Sequence, residues 1–238
     1  MAGSQCCENP PALSSSSGDG NVLESFGGLK TYIAGSSDSK AAVLLISDVF
    51  GYEAPNLRKL ADKTAAAGFF VVVPDFFYGD PYVPDKLPIT TWIGSHGTDK
   101  GFEDAKPVIA ALKSKGFSAV GAAGFCWGAK VVAELAKADE IKAAVMLHPS
   151  LVTVDDTKAI KVPLAVLGAE LDKISPPVLL RQFEGVLSSN SAVDSYVKIF
   201  PGVVHGWTVR YDVNDEAAVQ NAEEAHKDMI DWFTKHLK

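Results

Sequence analysis

The chain has 238 residues, of which 47% are hydrophobic and 21% charged, and this composition predicts one soluble globular domain with a large core. A net charge of −7 argues against a surface that binds nucleic acid or anionic membrane, and no apolar run reaches the ~18 residues of a membrane-spanning helix. The first residues lack a secretory-signal pattern and 3 cysteines are too few for a disulfide framework, so a cytoplasmic location is expected.

The beginning of the chain differs in composition from the rest. Residues 1–20 are rich in Ser, Pro and Gly and predict a loosely structured segment, followed by a single domain at 21–238. Residues 22–26 and 29–33 flank Gly27-Gly28, a pattern that predicts a two-residue antiparallel β-hairpin.

Short apolar runs then alternate with helical patterns. Runs that are apolar on both faces predict a mostly parallel sheet covered by helices on both faces, an α/β fold. The runs lie at residues 41–47, 69–74, 119–124, 143–147, 162–167 and 196–200. The helices are predicted at residues 54–67, 102–115, 127–136, 177–187 and 217–237, with Pro107 as a start or a kink of the second. The long connection 75–100 predicts a lid or a pocket wall.

Residues 124–128, Gly-Phe-Cys-Trp-Gly, form the most informative motif. They join the end of an apolar run to the start of a helical pattern, as in the G-x-nucleophile-x-G turn, with Cys126 as the nucleophile. A helix N-terminus favours the thiolate form of such a cysteine. The alternative is a buried cysteine that only packs at the end of a strand.

A nucleophilic cysteine needs a base, and the base needs an acid that orients it. His148 and His205 both follow predicted strands, where ligands bind in a parallel sheet. The chain order nucleophile, acid, histidine favours His205 and makes His148 a pocket-wall candidate. The loop after residues 162–167 offers two acids, Glu170 and Asp172, and spacing leaves both open.

The loop after the first long apolar run supplies the candidate for an oxyanion site. The backbone N–H groups of Val49 and Trp127 are predicted to hold the oxyanion of an acyl-transfer intermediate. Asp48 beside them is predicted either to be a turn residue or to interact with the proton of the Cys126 thiol.

Together these residues resemble the dienelactone hydrolase family, within the α/β-hydrolase fold, over the chain from about residue 20 onward. The segments that carry the resemblance are residues 48–51, 73–77, 124–128, Asp172 with Pro176, and 201–206. With residues 6–11 at the front, the chain is most similar to the plant branch, some members of which are named endo-1,3;1,4-β-glucanase.

The resemblance implies a triad of Cys126, Asp172 and His205, and makes Asp48 an acid that contacts the thiol and moves away when substrate binds. It also implies two arginines that hold a substrate carboxylate. Arg210 matches one of them, whereas Tyr78-Gly79-Asp80 stands where the other is expected. Besides Arg210, the predicted substrate-binding residues are Phe50, Tyr78, His148 and Trp207.

The predicted function is hydrolysis of an ester or lactone through a thioester on Cys126, with no cofactor and no metal. The expected partner is a small-molecule substrate, and the expected state is a monomer or homodimer, without nucleic-acid or membrane partners. Alternatives are a β-glucanase that uses two carboxyls, Glu170 with Asp172 or Asp48 with Glu53, and a non-enzymatic receptor on the same scaffold. A redox role for Cys6, Cys7 and Cys126 has weaker support in the sequence.

Overall fold

A computed structural model describes residues 4–238 of the chain. Eight strands form one sheet in the order β1-β2-β4-β3-β5-β6-β7-β8, in which β3 to β8 are parallel and β1 and β2 are antiparallel. The strands are β1 Asn21–Phe26, β2 Leu29–Ala34, β3 Ala41–Ile46, β4 Phe70–Pro74, β5 Ala119–Phe125, β6 Ala143–Leu147, β7 Leu164–Ala169 and β8 Ser195–Phe200.

The N-terminal hairpin forms as predicted. Gly27 and Gly28 have φ values of 60° and 93°, which the two central positions of a type I′ turn require. Since L-residues rarely adopt these values, two glycines in succession fix both the position of the turn and the register of β1 on β2.

Helices cover both faces of the sheet, which confirms the predicted α/β-hydrolase architecture. The helices are α1 Pro55–Ala66, α2 Ile89–Ser95, α3 Thr98–Ser114, α4 Trp127–Lys137, α5 Val154–Lys158, α6 Pro177–Ser188 and α7 Glu216–Leu237. One face of the sheet packs against α1 and α7, and the other packs against α3, α4 and α6. Along β3, successive side chains alternate between these two cores, which is why a central parallel strand is apolar at every position.

Of the two possibilities expected for Pro107, a start of the second helix is wrong, because this residue lies inside α3. A kink at this position stays a prediction. Helix α3 runs without interruption from Thr98 to Ser114 and buries Gly101, Ala105 and Val108 along one face. Pro107 is exposed on the opposite side, where water can satisfy the carbonyl that lacks its usual partner. The apolar face of α3 continues across the proline, and burial of that face stabilises the helix on both sides of it.

The connection 75–100 contains the short helix α2, which the sequence analysis does not predict. Its Trp92 is buried against Phe77, with ring centroids 4.7 Å apart, and stacks on His96. The indole Nε1 of Trp127 donates a 2.8 Å hydrogen bond to the carbonyl of His96. The connection is therefore packed against the beginning of α4 and forms a wall next to Cys126.

The first described residues also contain regular structure. Ser4–Cys7 form a 3₁₀ helix, and Cys6 is buried in the body of the domain. Over residues 4–238, none of the helices is long and apolar enough to cross a membrane.

Candidate active site

Cys126 lies on a strained turn between β5 and α4. Its φ of 51° and ψ of −108° are unusual for a residue with a side chain. The two flanking glycines allow the close approach of three backbones at this point. A Cβ on Gly124 would clash with the carbonyl of Gly128, and a Cβ on Gly128 would clash with the carbonyl of Ile46. The sequence thus aims the Cys126 side chain at the carboxyl edge of the sheet.

His205 and Asp172 meet at the same edge, after β8 and β7. The Nδ1 of His205 lies 2.7 Å from the Oδ2 of Asp172, and both side chains are fully buried. The other oxygen, Oδ1, accepts hydrogen bonds from the backbone N–H groups of Ile174 and Ser175. Glu170, the other acid of this loop, is exposed and accepts from the N–H of Gly202 instead. Only Asp172 of the two acids thus contacts the imidazole.

A second cysteine lies in this site, and the sequence analysis did not place it there. The Sγ of Cys6 is 3.4 Å from the Sγ of Cys126 and 3.9 Å from the Oγ of Ser150. The two sulfurs and a ring nitrogen of His205 all lie within 4.8 Å of one another. No local sequence signal predicts this contact, apart from the presence of two cysteines near the start of the chain.

The contact shifts the pKa values of the two thiols in opposite directions. Hydrogen bonding to Cys126, and then to His205, lowers the pKa of the Cys6 thiol to about 5 despite its burial. Burial raises the pKa of the Cys126 thiol well above its usual range, and Cys6 raises it further. Burial is the largest single influence on the pKa of His205 and lowers it, but the contributions of Asp172 and Cys6 together outweigh burial and the pKa is raised. With Cys6 in place, these contacts favour ionisation of the Cys6 thiol over that of the Cys126 thiol.

The two backbone N–H groups expected to hold an oxyanion are available. Within residues 4–238, neither Val49 nor Trp127 donates its backbone N–H to an acceptor. The turn that contains Val49 is fixed by the Oδ1 of Asp48, which accepts from the N–H of Phe50 at 2.9 Å.

Asp48 is fully buried and paired with Arg210. The Nε of Arg210 lies 3.1 Å from its Oδ2. Burial raises the pKa of this carboxyl, and the guanidinium opposes that change. Asp48 therefore fixes a turn, and its charge is one of the smaller contributions that raise the pKa of the Cys126 thiol; its interaction with the thiol proton stays a prediction.

Arg210 also holds the first residues of the chain. Its Nη1 donates to the carbonyls of Gln5, Cys6 and Glu8 at 3.4, 3.0 and 2.8 Å. In this conformation the guanidinium is occupied by a carboxylate and by backbone carbonyls, and it is buried.

The model of the dienelactone hydrolase family matches residues 29–237. The chain belongs to this family.

The chain is also similar to individual proteins in sequence and to a solved structure in fold. A maize protein named endo-1,3;1,4-beta-D-glucanase is 46% identical over 197 residues, which are 81% of this chain and 64% of the maize protein. A carboxymethylenebutenolidase homolog of Xenopus tropicalis is 33% identical over 88% of each chain. The structure of a dienelactone hydrolase-like promiscuous phosphotriesterase from metagenomic libraries superposes with a TM-score of 0.72 at 18% identity, over 88% of this chain and 93% of that one. The predictions of this family, of its fold and of an ester or lactone hydrolase are confirmed.

The other predicted substrate-binding residues lie at different depths. Phe50 is buried under the guanidinium of Arg210, whose central carbon is 5.4 Å from the ring. His148 is fully buried behind His205, edge to face at 5.1 Å, and hydrogen-bonds the hydroxyl of Thr208. Tyr78 is exposed and bonded to Asp104 and Lys100. Trp207, together with Arg210, lines an open cavity of about 740 Å³.

The side chains of Cys6, Cys126 and His205 carry two sulfurs and a ring nitrogen, which are the donor types of a zinc site. Two sulfurs bound tetrahedrally to zinc at about 2.3 Å would lie about 3.8 Å apart. The observed 3.4 Å is shorter and fits a direct contact between the sulfurs.

Proposed function

We propose that this protein hydrolyses esters or lactones through a thioester formed on Cys126. The observation that carries the proposal is the hydrogen-bonded pair of His205 and Asp172, 2.7 Å apart, beside a cysteine on a strained turn at a helix N-terminus. Such a set of nucleophile, base and orienting acid is needed for turnover and not for ligand binding alone, so an enzyme is favoured over a receptor.

In the first half of the proposed reaction, His205 takes the proton of the Cys126 thiol and the sulfur attacks the carbonyl carbon. The oxyanion that forms is held by the N–H groups of Val49 and Trp127. Collapse of this intermediate breaks the bond to the alcohol, which receives the proton from His205, and leaves an acyl thioester on Cys126.

In the second half, His205 takes a proton from water, which attacks the thioester carbonyl. The C–S bond then breaks, the acid is released, and the Cys126 sulfur takes the proton from His205 to become a thiol again. Asp172 holds the imidazole in the tautomer whose Nε2 is free to accept a proton. The Sγ of Cys6 lies against that of Cys126, so a substrate carbonyl reaches the nucleophile only after the segment that carries Cys6 has moved.

The glucanase alternative has less support in the structure. A glycosidase needs two carboxyls that face one cleft. Asp172 is buried against His205, whereas Glu170 is exposed. Asp48 is buried against Arg210, whereas Glu53 contacts Arg58. Neither predicted pair faces a common cleft, and neither explains a cysteine on the turn.

A trapped acyl-enzyme tests the proposed function. After mixing with p-nitrophenyl acetate and rapid acid quenching, we expect the intact mass to increase by one acetyl group, and peptide mapping to locate that group on Cys126. Cys7→Ser is the matched control and should give the same adduct. Acetyl groups on Cys6, on both thiols equally, or on lysines only would contradict the proposed nucleophile.

The charges around the site favour a neutral substrate. Arg210 is paired with the Asp48 carboxylate, and the second predicted carboxylate anchor is replaced by Asp80, which lies near His96 and Lys86. We therefore expect a kcat/KM at least ~10-fold higher for a neutral ester than for a matched ester that carries a carboxylate, because that charge finds no bidentate cation and meets an acid.

The comparison is made at one pH and one salt concentration, with Asp80→Arg measured alongside. The variant should narrow the difference between the two esters. A wild-type preference for the anionic ester, unaffected by Asp80→Arg, would show that another cation such as Lys173 or Arg181 holds the carboxylate.

A further inference from the structure

The segment that carries Cys6 is held in place by specific hydrogen bonds. The Nε2 of Gln5 donates to the carbonyl of Leu171 at 3.1 Å, and its Oε1 accepts from the N–H of Lys173 at 2.6 Å. Arg210 binds three carbonyls of the same segment. Leu171 and Lys173 flank Asp172, so the loop of the candidate triad also positions Cys6. The short distance between the sulfurs is therefore a consequence of several anchors on two loops.

We propose that Cys6 and Cys126 are a redox pair, in which a hydroperoxide such as hydrogen peroxide oxidises Cys6 and Cys126 then forms a disulfide with it. Formation of the disulfide does not depend on the proposed function; only the expected loss of hydrolysis rests on it. The disulfide would occupy the nucleophile and tie the N-terminal segment over the site.

The reaction proceeds in two balanced steps. The Cys6 thiolate attacks one peroxide oxygen, the O–O bond breaks, and the products are a Cys6 sulfenic acid and hydroxide, which takes a proton to become water. The Cys126 sulfur then attacks the Cys6 sulfur, the S–O bond breaks, and the hydroxyl leaves as water with the proton of the Cys126 thiol. Overall, two thiols are oxidised and one peroxide is reduced to two waters.

The electrostatics assign the two roles. The Sγ of Cys6 lies 3.4 Å from that of Cys126 and within 4.8 Å of a ring nitrogen of His205, and these neighbours lower the pKa of its thiol, so Cys6 takes the role of the thiolate, the form that peroxides oxidise. Cys126 keeps its proton and lies 3.4 Å away, so it needs to move only about 1.4 Å to reach the ~2.05 Å of a disulfide bond. Cys7 is less suited, because burial raises the pKa of its thiol.

The consequence for the enzyme is reversible protection. A sulfenic acid that has no second thiol nearby is oxidised further by peroxide to sulfinic and sulfonic acids, which thiols do not reduce. A disulfide between Cys6 and Cys126 stops this sequence, and a dithiol reductant restores both thiols. Hydrolysis is therefore expected to be lost while the bridge is present and to return after reduction.

Peroxide treatment followed by mass spectrometry tests the redox pair independently of hydrolysis. We expect the intact mass to fall by two hydrogen atoms, and non-reducing peptide maps to link the peptides of Cys6 and Cys126. Cys7→Ser, the matched control, should form the same bridge, which excludes a bond between Cys6 and Cys7. Cys6→Ser should form no bridge, and its Cys126 should be oxidised irreversibly.

Activity on p-nitrophenyl acetate, measured before peroxide, after peroxide and after dithiothreitol, gives the functional result. In wild type and Cys7→Ser we expect at least a 10-fold loss that dithiothreitol restores, whereas the loss in Cys6→Ser should not be restored. Oxidation of Cys126 to sulfinic acid with Cys6 still reduced, a bridge between Cys6 and Cys7, or no reaction of Cys6 would each overturn the proposal. A bridge in a protein that gives no acetyl adduct would support the redox pair and contradict only the proposed hydrolysis.

Discussion

Replacing the Cys126 thiol is expected to reduce kcat for p-nitrophenyl acetate about 10⁴-fold or more in Cys126→Ala, with little change in the folded structure. The sulfur of Cys126 is the atom that forms the thioester. Without it, His205 has no thiol to deprotonate and no oxyanion forms at the site of Val49 and Trp127. Steady-state hydrolysis, corrected for the uncatalysed rate, measures the change. A melting temperature close to that of wild type shows that the fold is retained, since alanine adds no atoms to the buried turn.

The same variant separates esterase from glycosidase chemistry. A glucanase that uses two carboxyls does not need a thiol, so mixed-linkage β-glucan is the informative second substrate. Release of reducing ends by wild type and by Cys126→Ala alike, without ester hydrolysis by either, would exclude the proposed mechanism. Cys7→Ser serves as the control, because it removes a thiol of the same segment that makes no contact with the Cys126 sulfur.

The fold and the central motif could be predicted because both depend on local chemistry. A buried parallel strand is apolar at every position, as in β3, and a type I′ hairpin needs glycines such as Gly27-Gly28. The glycines on both sides of Cys126 indicate close backbone contacts that no other residue permits. These patterns are visible in one sequence because each restricts the residue type at its own position, even where, as at Gly128, the backbone that approaches belongs to the distant Ile46.

The position of Cys6 could not be predicted, because its partners are distant in sequence. Arg210 is 204 residues from Cys6, and Cys126 is 120 residues from it. Composition suggested only a loose segment at residues 1–20, whereas Gln5 and Cys6 are buried at the candidate site. The short helices α2 and α5 were missed for a similar reason, since helices of 7 and 5 residues depend on packing more than on their own periodicity.

Spacing alone leaves both Glu170 and Asp172 as candidates for the acid that orients His205. The structure gives a physical reason to prefer Asp172. Both follow β7 within three residues of its end and both bear a carboxylate. Only Asp172 turns inward, because the N–H groups of Ile174 and Ser175 bind its Oδ1 and leave Oδ2 for the imidazole. Glu170 instead closes the loop to Gly202 at the surface.

Asp172→Asn is therefore expected to reduce kcat roughly 10²–10⁴-fold, and Glu170→Gln to change it less than about 3-fold. In Asp172→Asn the side-chain oxygen stays with the two backbone N–H donors, so the amide NH₂ faces the Nδ1 of His205. The imidazole must then accept at Nδ1 and carry its proton on Nε2, where it cannot take the proton of Cys126. Both variants keep the size of the side chain, and the comparison uses ester hydrolysis at one pH. Equal losses in the two variants, or a larger loss in Glu170→Gln, would mean that Asp172 is not the acid that orients the base.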